Sequence, residues 1–426
     1  MSITKRADKV ISMIDHLHAD DFETKTPHSL VRSLLDKLPK NIWKDKYKVF
    51  GDPACGRGIF LLEFFVRHMA GLKEAFPDEN DRAVHILENV LHGYDISTLQ
   101  HGYTLRALKL IFPALDEERL NVYNVDSLKE EFDMKFDVSA MNPPYNANTK
   151  KRKDGRGYGY GGREWIKHAK KSYEETKDYV VIICPNGWRN GNVPKTLDFF
   201  WEKEVMWWGR VKDYFPSVGK SVCIDAVIIN KNKESNFSPA LKKKKVLPHN
   251  SNDKVALSIF EKYAKFYDNG EDVFEITVRG TGKAYKKELK ERPNSVFCWR
   301  YANTSAQWNH NKYDWLNEPC EHHYSKKVVC SHSGKLSPFY DDGSMGIGEN
   351  AYGVLVDNNE QGQKLVEFFN SDIIKFIHLE TGERGTFKAN PLSFIKGVPK
   401  SCVSKNNPFN LTNKEKAYVA SRLQEK

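Results

Sequence analysis

The sequence predicts an α/β protein: a doubly wound, mostly parallel sheet with an antiparallel last strand, followed by an α+β domain. Three observations predict it. A short segment that reads as a buried strand, Lys46–Gly51, meets a glycine-rich turn and then a helix, Ile59–His68, with apolar residues at helical spacing. Three further strand-like segments, Val90–Asp95, Asn121–Asp126 and Phe136–Met141, end at an acid or at an unusual polar turn. From about residue 46 to 230 strand and helix patterns alternate, and the last two runs, Val205–Tyr214 and Val222–Asn230, lie close enough to form a hairpin.

Residues 1–45 read as a helical lead-in. The first turn, Asp52-Pro53-Ala54-Cys55-Gly56-Arg57-Gly58, has the makings of a ligand loop. Gly56 and Gly58 lack Cβ, so the backbone can turn sharply and a ligand can approach. The helix behind them begins with unpaired N–H groups, which suit an anion. Asp52 stands at the carboxyl end of its strand, where open α/β sheets bind ligands, and could hold an ammonium group. A ligand with both a carboxylate and an ammonium is an amino acid, and S-adenosylmethionine carries such a tail. A dinucleotide or an ordinary strand–helix turn are the alternatives; the spacing is not G-x-G-x-x-G.

Asp95, followed by Ile96, ends the second strand, where a carboxylate can take two ribose hydroxyls. Asp126 ends the third and could accept from an adenine amine. Either acid could instead be a helix N-cap. The fourth strand runs into Asn142-Pro143-Pro144-Tyr145. Two prolines fix the backbone there and cannot continue a ladder. The Asn142 side chain and a backbone carbonyl can then face one point and accept from an amino group, freeing its lone pair to attack a methyl sulfonium. Tyr145 offers a flat face to a base. A structural turn is the bland reading.

Residues 146–162 are basic, glycine-rich and aromatic: either a solvated loop, or one that closes on a phosphate backbone and is poorly ordered without DNA. Lys231–Asn252, with four consecutive lysines, reads as a linker, so the expected domains are 1–235, linker 236–252 and 253–426. In the last, Asp253–Asp268, Gly362–Asn370 and Asp372–Glu380 look helical, and Phe274–Arg279, Lys327–Ser331 and Tyr352–Val356 look like strands. Cys320, His322, His323, Cys330 and His332 are residue types that suit zinc. Their spacing matches no common finger, and no metal is expected.

These residues resemble those of the gamma-class DNA N6-adenine methyltransferases of type II restriction–modification systems and phages. The resemblance covers most of the chain. Thr26-Pro27 with His28–Leu38 resembles the N-terminal cofactor motif, Asp52–Gly58 the main one, and Asn142–Tyr145 is the catalytic motif unaltered. Arg57 departs from the commoner Thr or Ser. Tyr179–Gly187 resembles the fifth-strand segment. Tyr214-Phe215-Pro216, followed by Val222–Asn230, resembles the motif whose aromatic stacks on a flipped base. The resemblance implies a Rossmann-like methyltransferase domain and S-adenosyl-L-methionine bound by Thr26, Pro27, Asp52, Pro53, Ala54, Cys55, Gly56, Gly58, Asp95, Ile96, Asp126 and Asn142. It implies catalysis by Asn142, Pro143, Pro144, Tyr145 and Phe215, the last two rings sandwiching the adenine. Lys326–Lys400, with Phe368–Ser371 and Gly397–Pro399, resembles a target-recognition domain. Trp299, Arg300, Trp308, Arg384 and Lys388 are candidates for DNA contact.

With 426 residues and a formal net charge of +10, the chain suits two domains and a polyanionic partner, duplex DNA above all. Seven scattered cysteines without C-x-x-C point to a reducing cytosol, that of a bacterial or phage-infected cell. A mean hydropathy of −0.62 argues against a membrane span, and the amino-terminal residues have no secretory pattern. A monomer is expected, with a cognate restriction endonuclease as a candidate partner. Methylation of RNA, of a protein glutamine or of cytosine N4, and an inactive DNA- or cofactor-binding anti-restriction protein, stay open.

Overall fold

The computed structural model describes residues 1–16, 25–145, 164–189, 195–216, 218, 223–268, 272–277, 299–302, 314–316, 318–319, 322–331, 337–348, 351–381 and 397–425. The chain divides into two compact units: Met1–Asn186 with Pro194–Phe237, and Gly187–Val193 with Ser238–Lys426. The chain therefore passes into the second unit briefly, returns, and leaves again at Ser238.

The first unit opens with α1 (Ile3–His16) and α2 (His28–Leu35), then β1 (Phe50–Asp52), α3 (Ile59–Gly71), α4 (Glu79–His85), β2 (Leu91–Tyr94), α5 (Thr98–Ile111), β3 (Val122–Tyr123) and β4 (Phe136–Met141). It closes with α6 (Glu164–Glu174), β5 (Thr176–Pro185), α7 (Phe199–Glu202), β6 (Lys203–Arg210) and β7 (Ile224–Glu234). The seven strands form one sheet in the order β3-β2-β1-β4-β5-β7-β6. The first five run parallel. β7 is antiparallel to both β5 and β6. This is the doubly wound sheet with an antiparallel last strand that the alternation predicts.

The apolar runs explain the packing. All three residues of β1, and five of six in β4, are buried, as expected for strands covered on both faces. α3 carries Ile59, Phe60, Leu61, Leu62, Phe64, Phe65 and Met69 into the core, and Phe50 and Phe64 meet edge to face with centroids 5.2 Å apart. The strand order reverses between β1 and β4, which pair directly. That crevice, at the carboxyl ends of the parallel strands, is where open α/β sheets take ligands.

The second unit contains α8 (Pro239–Lys244), α9 (Lys254–Phe266), β8 (Val273–Thr277), β9 (Trp299–Ala302), β10 (Asp314–Leu316), β11 (Lys327–Ser331), β12 (Phe339–Asp341), β13 (Gly346–Ile347), β14 (Ala351–Leu355), α10 (Asn359–Phe369), α11 (Asp372–Thr381), β15 (Gly397–Pro399) and α12 (Asn413–Gln424). A sheet of order β12-β11-β14-β8-β15 is antiparallel throughout. β9 joins β10 and β13 in a second small sheet. Within the stretch expected as linker, the structure places α8. Ser238 caps it by accepting from Leu241 N, Pro239 stands in its first turn, and Ala240 and Leu241 are buried. Ser followed by Pro is a helix-start signal that the lysine run obscured.

Arg189 is fully buried in this unit; its guanidinium donates to the carbonyls of Leu247 (3.0 Å) and Glu380 (3.4 Å). Lys327 is also fully buried. Its ammonium donates to the carbonyls of His322 (3.1 Å) and Ser325 (3.0 Å) and pairs with the buried Asp341 carboxylate. Among the described residues no helix is long and apolar enough to cross a membrane.

Candidate active site

Parallel register sets the site. Asp52 of β1 is level with Gly93 of β2, so Asp95 lies just beyond the same edge. Met141 is level with Ile182 of β5, and Asn142 follows at once. β7 begins with Ile224 opposite Pro185, so the segment containing Phe215 approaches that edge as well. Asp52, Asp95, the Asn-Pro-Pro-Tyr turn and the aromatic segment thus reach one rim of the sheet through four different strands.

The ligand loop is built by its glycines. Gly56 and Gly58 have φ of 55° and 80°, a region where an L side chain is strained. Gly58 is the N-cap of α3. A Cβ there would lie 2.9 Å from Thr104 Cγ2. Thr104 in turn donates its hydroxyl to Gly56 O at 2.8 Å, and Cys55 N donates to Tyr94 O at 2.9 Å. Cys55 is buried, and Pro53 O accepts from Ser127 Oγ.

Asp52 is 1% exposed, and its carboxylate accepts from Ala54 N at 3.0 Å. Burial pushes its pKa well above the ordinary carboxylate value; the Ala54 N–H opposes this and the Asp95 charge adds to it. Asp95 accepts from Gly56 N and Ser97 N, both at 2.8 Å. Its pKa is also raised by burial, against the pull of those two donors. Among the described residues neither acid forms an ion pair. Ile96 beside Asp95 is 69% exposed. Asp126 is placed differently. It accepts from Leu128 N at 3.2 Å and pairs with Lys129 at 2.9 Å, and that lysine holds its pKa low. This is the local turn-and-cap arrangement that the sequence left open for it.

Asn142 Nδ2 donates to Thr26 Oγ1 at 3.0 Å. Asn142 Oδ1 is buried and has no hydrogen-bond partner, and the buried Tyr145 hydroxyl has none either. A buried acceptor left unpaired costs about 1–3 kcal/mol, and such a group asks for a functional reason. Pro143 is buried and Pro144 exposed. Tyr145 packs against the core of the first unit. Phe215 is 1% exposed and belongs to that core. Among the described residues the two rings make no stacking contact, so an open sandwich is not what the structure presents.

Thr26 and Pro27 directly precede α2, whose N-cap is Pro27. The residues sequence reasoning missed are those that hold this segment. His28 Nε2 lies 2.8 Å from the buried Glu63 carboxylate of α3, and Arg67 bridges Glu63 and Asp36 at 2.8 and 2.7 Å. No local pattern signals pairs 35 and 116 residues apart. Arg57, the departure from the family motif, is buried with its guanidinium 5.1 Å from the Tyr103 ring centroid.

Of the five candidate metal ligands, Cys320 and His332 lie outside the described residues, and Cys330 is fully buried in β11. Residues 146–162, Trp308, Arg384 and Lys388 also lie outside them, as does the Trp299 side chain; Arg300 is exposed.

The fold and site define a Rossmann-like α/β domain with a glycine loop, two buried acids and an Asn-Pro-Pro-Tyr turn on one sheet edge. Residues 20–187 match the family model described as N-6 DNA Methylase, which bears out the resemblance over that segment. No curated protein matches the chain at a significant level. Among solved structures, the chain is similar to the methyltransferase subunit of a type I restriction–modification system from Streptococcus thermophilus, at 17% identity, covering 53% of this chain and 48% of that one, with a TM-score of 0.34. It is also similar to a type IIL restriction–modification enzyme in complex with DNA, at 10% identity, covering 100% of this chain and 79% of that one, with a TM-score of 0.49. The chain spans about half the length of the type I subunits it matches.

Proposed function

We propose that the chain is a DNA adenine-N6 methyltransferase acting on a flipped-out base in duplex DNA, with S-adenosyl-L-methionine as methyl donor. The observation that carries this reading is the buried, unpartnered Asn142 Oδ1 on the carboxyl edge of β4. It is an acceptor waiting for a donor, at the place where the sheet takes ligands.

The residues present fit the donor. Asp52 is buried with a single N–H donor and no cation, so a ligand ammonium would satisfy it. Asp95, beside the exposed Ile96, suits ribose hydroxyls and one face of an adenine. Asp126 would have to share its carboxylate with Lys129 to accept from the adenine amine. When bound, S-adenosyl-L-methionine supplies a methyl group made electrophilic by its sulfonium.

The chain's own part is positioning and polarisation. Asn142 Oδ1 and the Pro143 carbonyl accept from the target amine and draw its nitrogen toward tetrahedral geometry. The lone pair freed in this way would be the acceptor for the methyl group that bound S-adenosyl-L-methionine supplies, and the amine proton would leave to solvent. Extrusion of the base costs a few kcal/mol, to be met by stacking on Tyr145. Phe215 joins the stack only if its ring leaves the core. Residues 253–426 would supply site recognition, and the +10 net charge supports a polyanionic substrate.

The test is single-molecule long-read sequencing of plasmid from a methylation-deficient host expressing the chain, with Asn142→Ala as control. The expected result is a recurring motif carrying N6-methyladenine that disappears in the variant, while the variant still binds S-adenosylmethionine. Wild-type-like methylation by Asn142→Ala would defeat the mechanism. No mark from folded, cofactor-binding protein would defeat the DNA reading in favour of another acceptor or an inactive binder.

A further inference from the structure

We infer that Thr26 is a positioning residue that fixes which way round the Asn142 amide faces. The inference rests on the proposed function. A primary amide has an acceptor end and a donor end of nearly the same shape. Only the oxygen end can accept from a target amine; the flipped amide would set NH2 against NH2 and cancel the polarisation. Something must therefore hold the nitrogen end.

Thr26 Oγ1 is placed to do so. It accepts from Asn142 Nδ2 at 3.0 Å, across 116 residues of sequence, while Oδ1 at the other end is left unpartnered. The amide is thus held by its donor and presented by its acceptor. Thr26 is itself buried, at 8% exposure, so water does not compete freely for its hydroxyl. That hydroxyl keeps its own proton and can donate it elsewhere, so this role does not exclude the cofactor contact that the family resemblance implies.

Thr26 is also held from behind. Pro27 fixes the backbone at φ −64° and ψ 139° at the start of α2. α2 is tied to α3 through His28 and Glu63 at 2.8 Å, and Arg67 spans from Glu63 to Asp36. α3 is the helix that Gly58 of the ligand loop opens. One helix therefore supports both the loop and, through Glu63 and His28, the residue that orients the Asn142 amide.

Thr26→Val removes the acceptor at nearly constant shape, and Thr26→Ser restores it. Three quantities are read for each: S-adenosylmethionine affinity by calorimetry, thermal midpoint, and single-turnover methyl transfer to DNA. We expect Thr26→Val to slow transfer at saturating cofactor by about 10- to 100-fold, the range for loss of orientation at a reacting centre, a loss that exceeds any weakening of the cofactor Kd. Thr26→Ser should return the rate to within about three-fold of wild type. If Thr26→Val does not fold, Thr26→Ala and Thr26→Ser are compared in the same way. An unchanged rate overturns the inference. A cofactor affinity that falls in step with the rate overturns it in favour of a purely ligand-binding role. A wild-type chain that binds cofactor but methylates no DNA overturns the functional reading and this inference with it, which separates the two failures.

Discussion

Gly58→Ala is the most direct test of how the ligand loop is built. Three costs follow from the geometry. The residue has φ of +80°, which costs an L side chain about 1–2 kcal/mol. The added Cβ would stand 2.9 Å from Thr104 Cγ2 and 3.0 Å from its Oγ1, an overpacking that costs about 1–3 kcal/mol. If Thr104 moves to relieve it, the 2.8 Å hydrogen bond to Gly56 O weakens, at about 1 kcal/mol. Since the last two costs are alternatives in part, the total should fall at about 2–5 kcal/mol. For a unit of this size that is a drop of roughly 4–20 °C in midpoint. Scanning calorimetry reads it, with the transition of the first unit followed separately because two units need not unfold together. Thr104→Ser removes the methyl and keeps the hydroxyl, so Gly58→Ala/Thr104→Ser should be less destabilised than the sum of its single variants by about 0.5–2 kcal/mol. A Gly58→Ala protein within about 0.5 kcal/mol of wild type, or strict additivity with Thr104→Ser, would refute the reasoning.

Three further outcomes are expected. Asp52→Asn should raise the stability of the ligand-free protein near neutral pH and weaken S-adenosylmethionine binding. A carboxyl whose folded pKa is raised loses stability as pH rises through that pKa, so the advantage of Asn should shrink as pH falls toward the unfolded value; melting curves at several pH values, paired with calorimetric titrations, read both effects. By the same sign, cofactor affinity of the wild type should fall on acidification, because Asp52 and Asp95 then take up protons that binding must expel. Lys327→Met should cost about 3–5 kcal/mol by stranding Asp341 in the interior, and Lys327→Met/Asp341→Leu should recover much of it; denaturant titration decides, and a single variant within about 1 kcal/mol of wild type would remove the pair from the account.

What was legible in the sequence was whatever is encoded locally. The apolar runs before Asp52, Asp95 and Asn142 gave the parallel strands, and the two runs flanking Phe215 gave the antiparallel finish, because strand-length apolar stretches and helical spacing are short-range signals. α8 was legible in principle, since Ser238-Pro239 starts a helix, but four lysines read as solvated chain. Packing was not legible. Phe215 has the motif position of a stacking ring, yet its apolar face is satisfied by the core. Asp126 was drawn to a lysine three residues on. The Thr26–Asn142 bond depends on the register of the whole sheet and on α2 being pinned to α3, and no sequence window holds all of that.

The brief passage of residues 187–193 into the second unit bears on how such a chain could be cut or recombined. A fragment ending at Phe237 looks like a complete sheet, but it would carry Arg189 without the Leu247 and Glu380 carbonyls that hold its guanidinium, so the segment would lose the partners that order it. Grafting a foreign second unit onto the first at Ser238 alone would mismatch the same arginine. The natural module for exchange is thus discontinuous: Ser238 onward must travel with the seven residues 187–193 that follow β5.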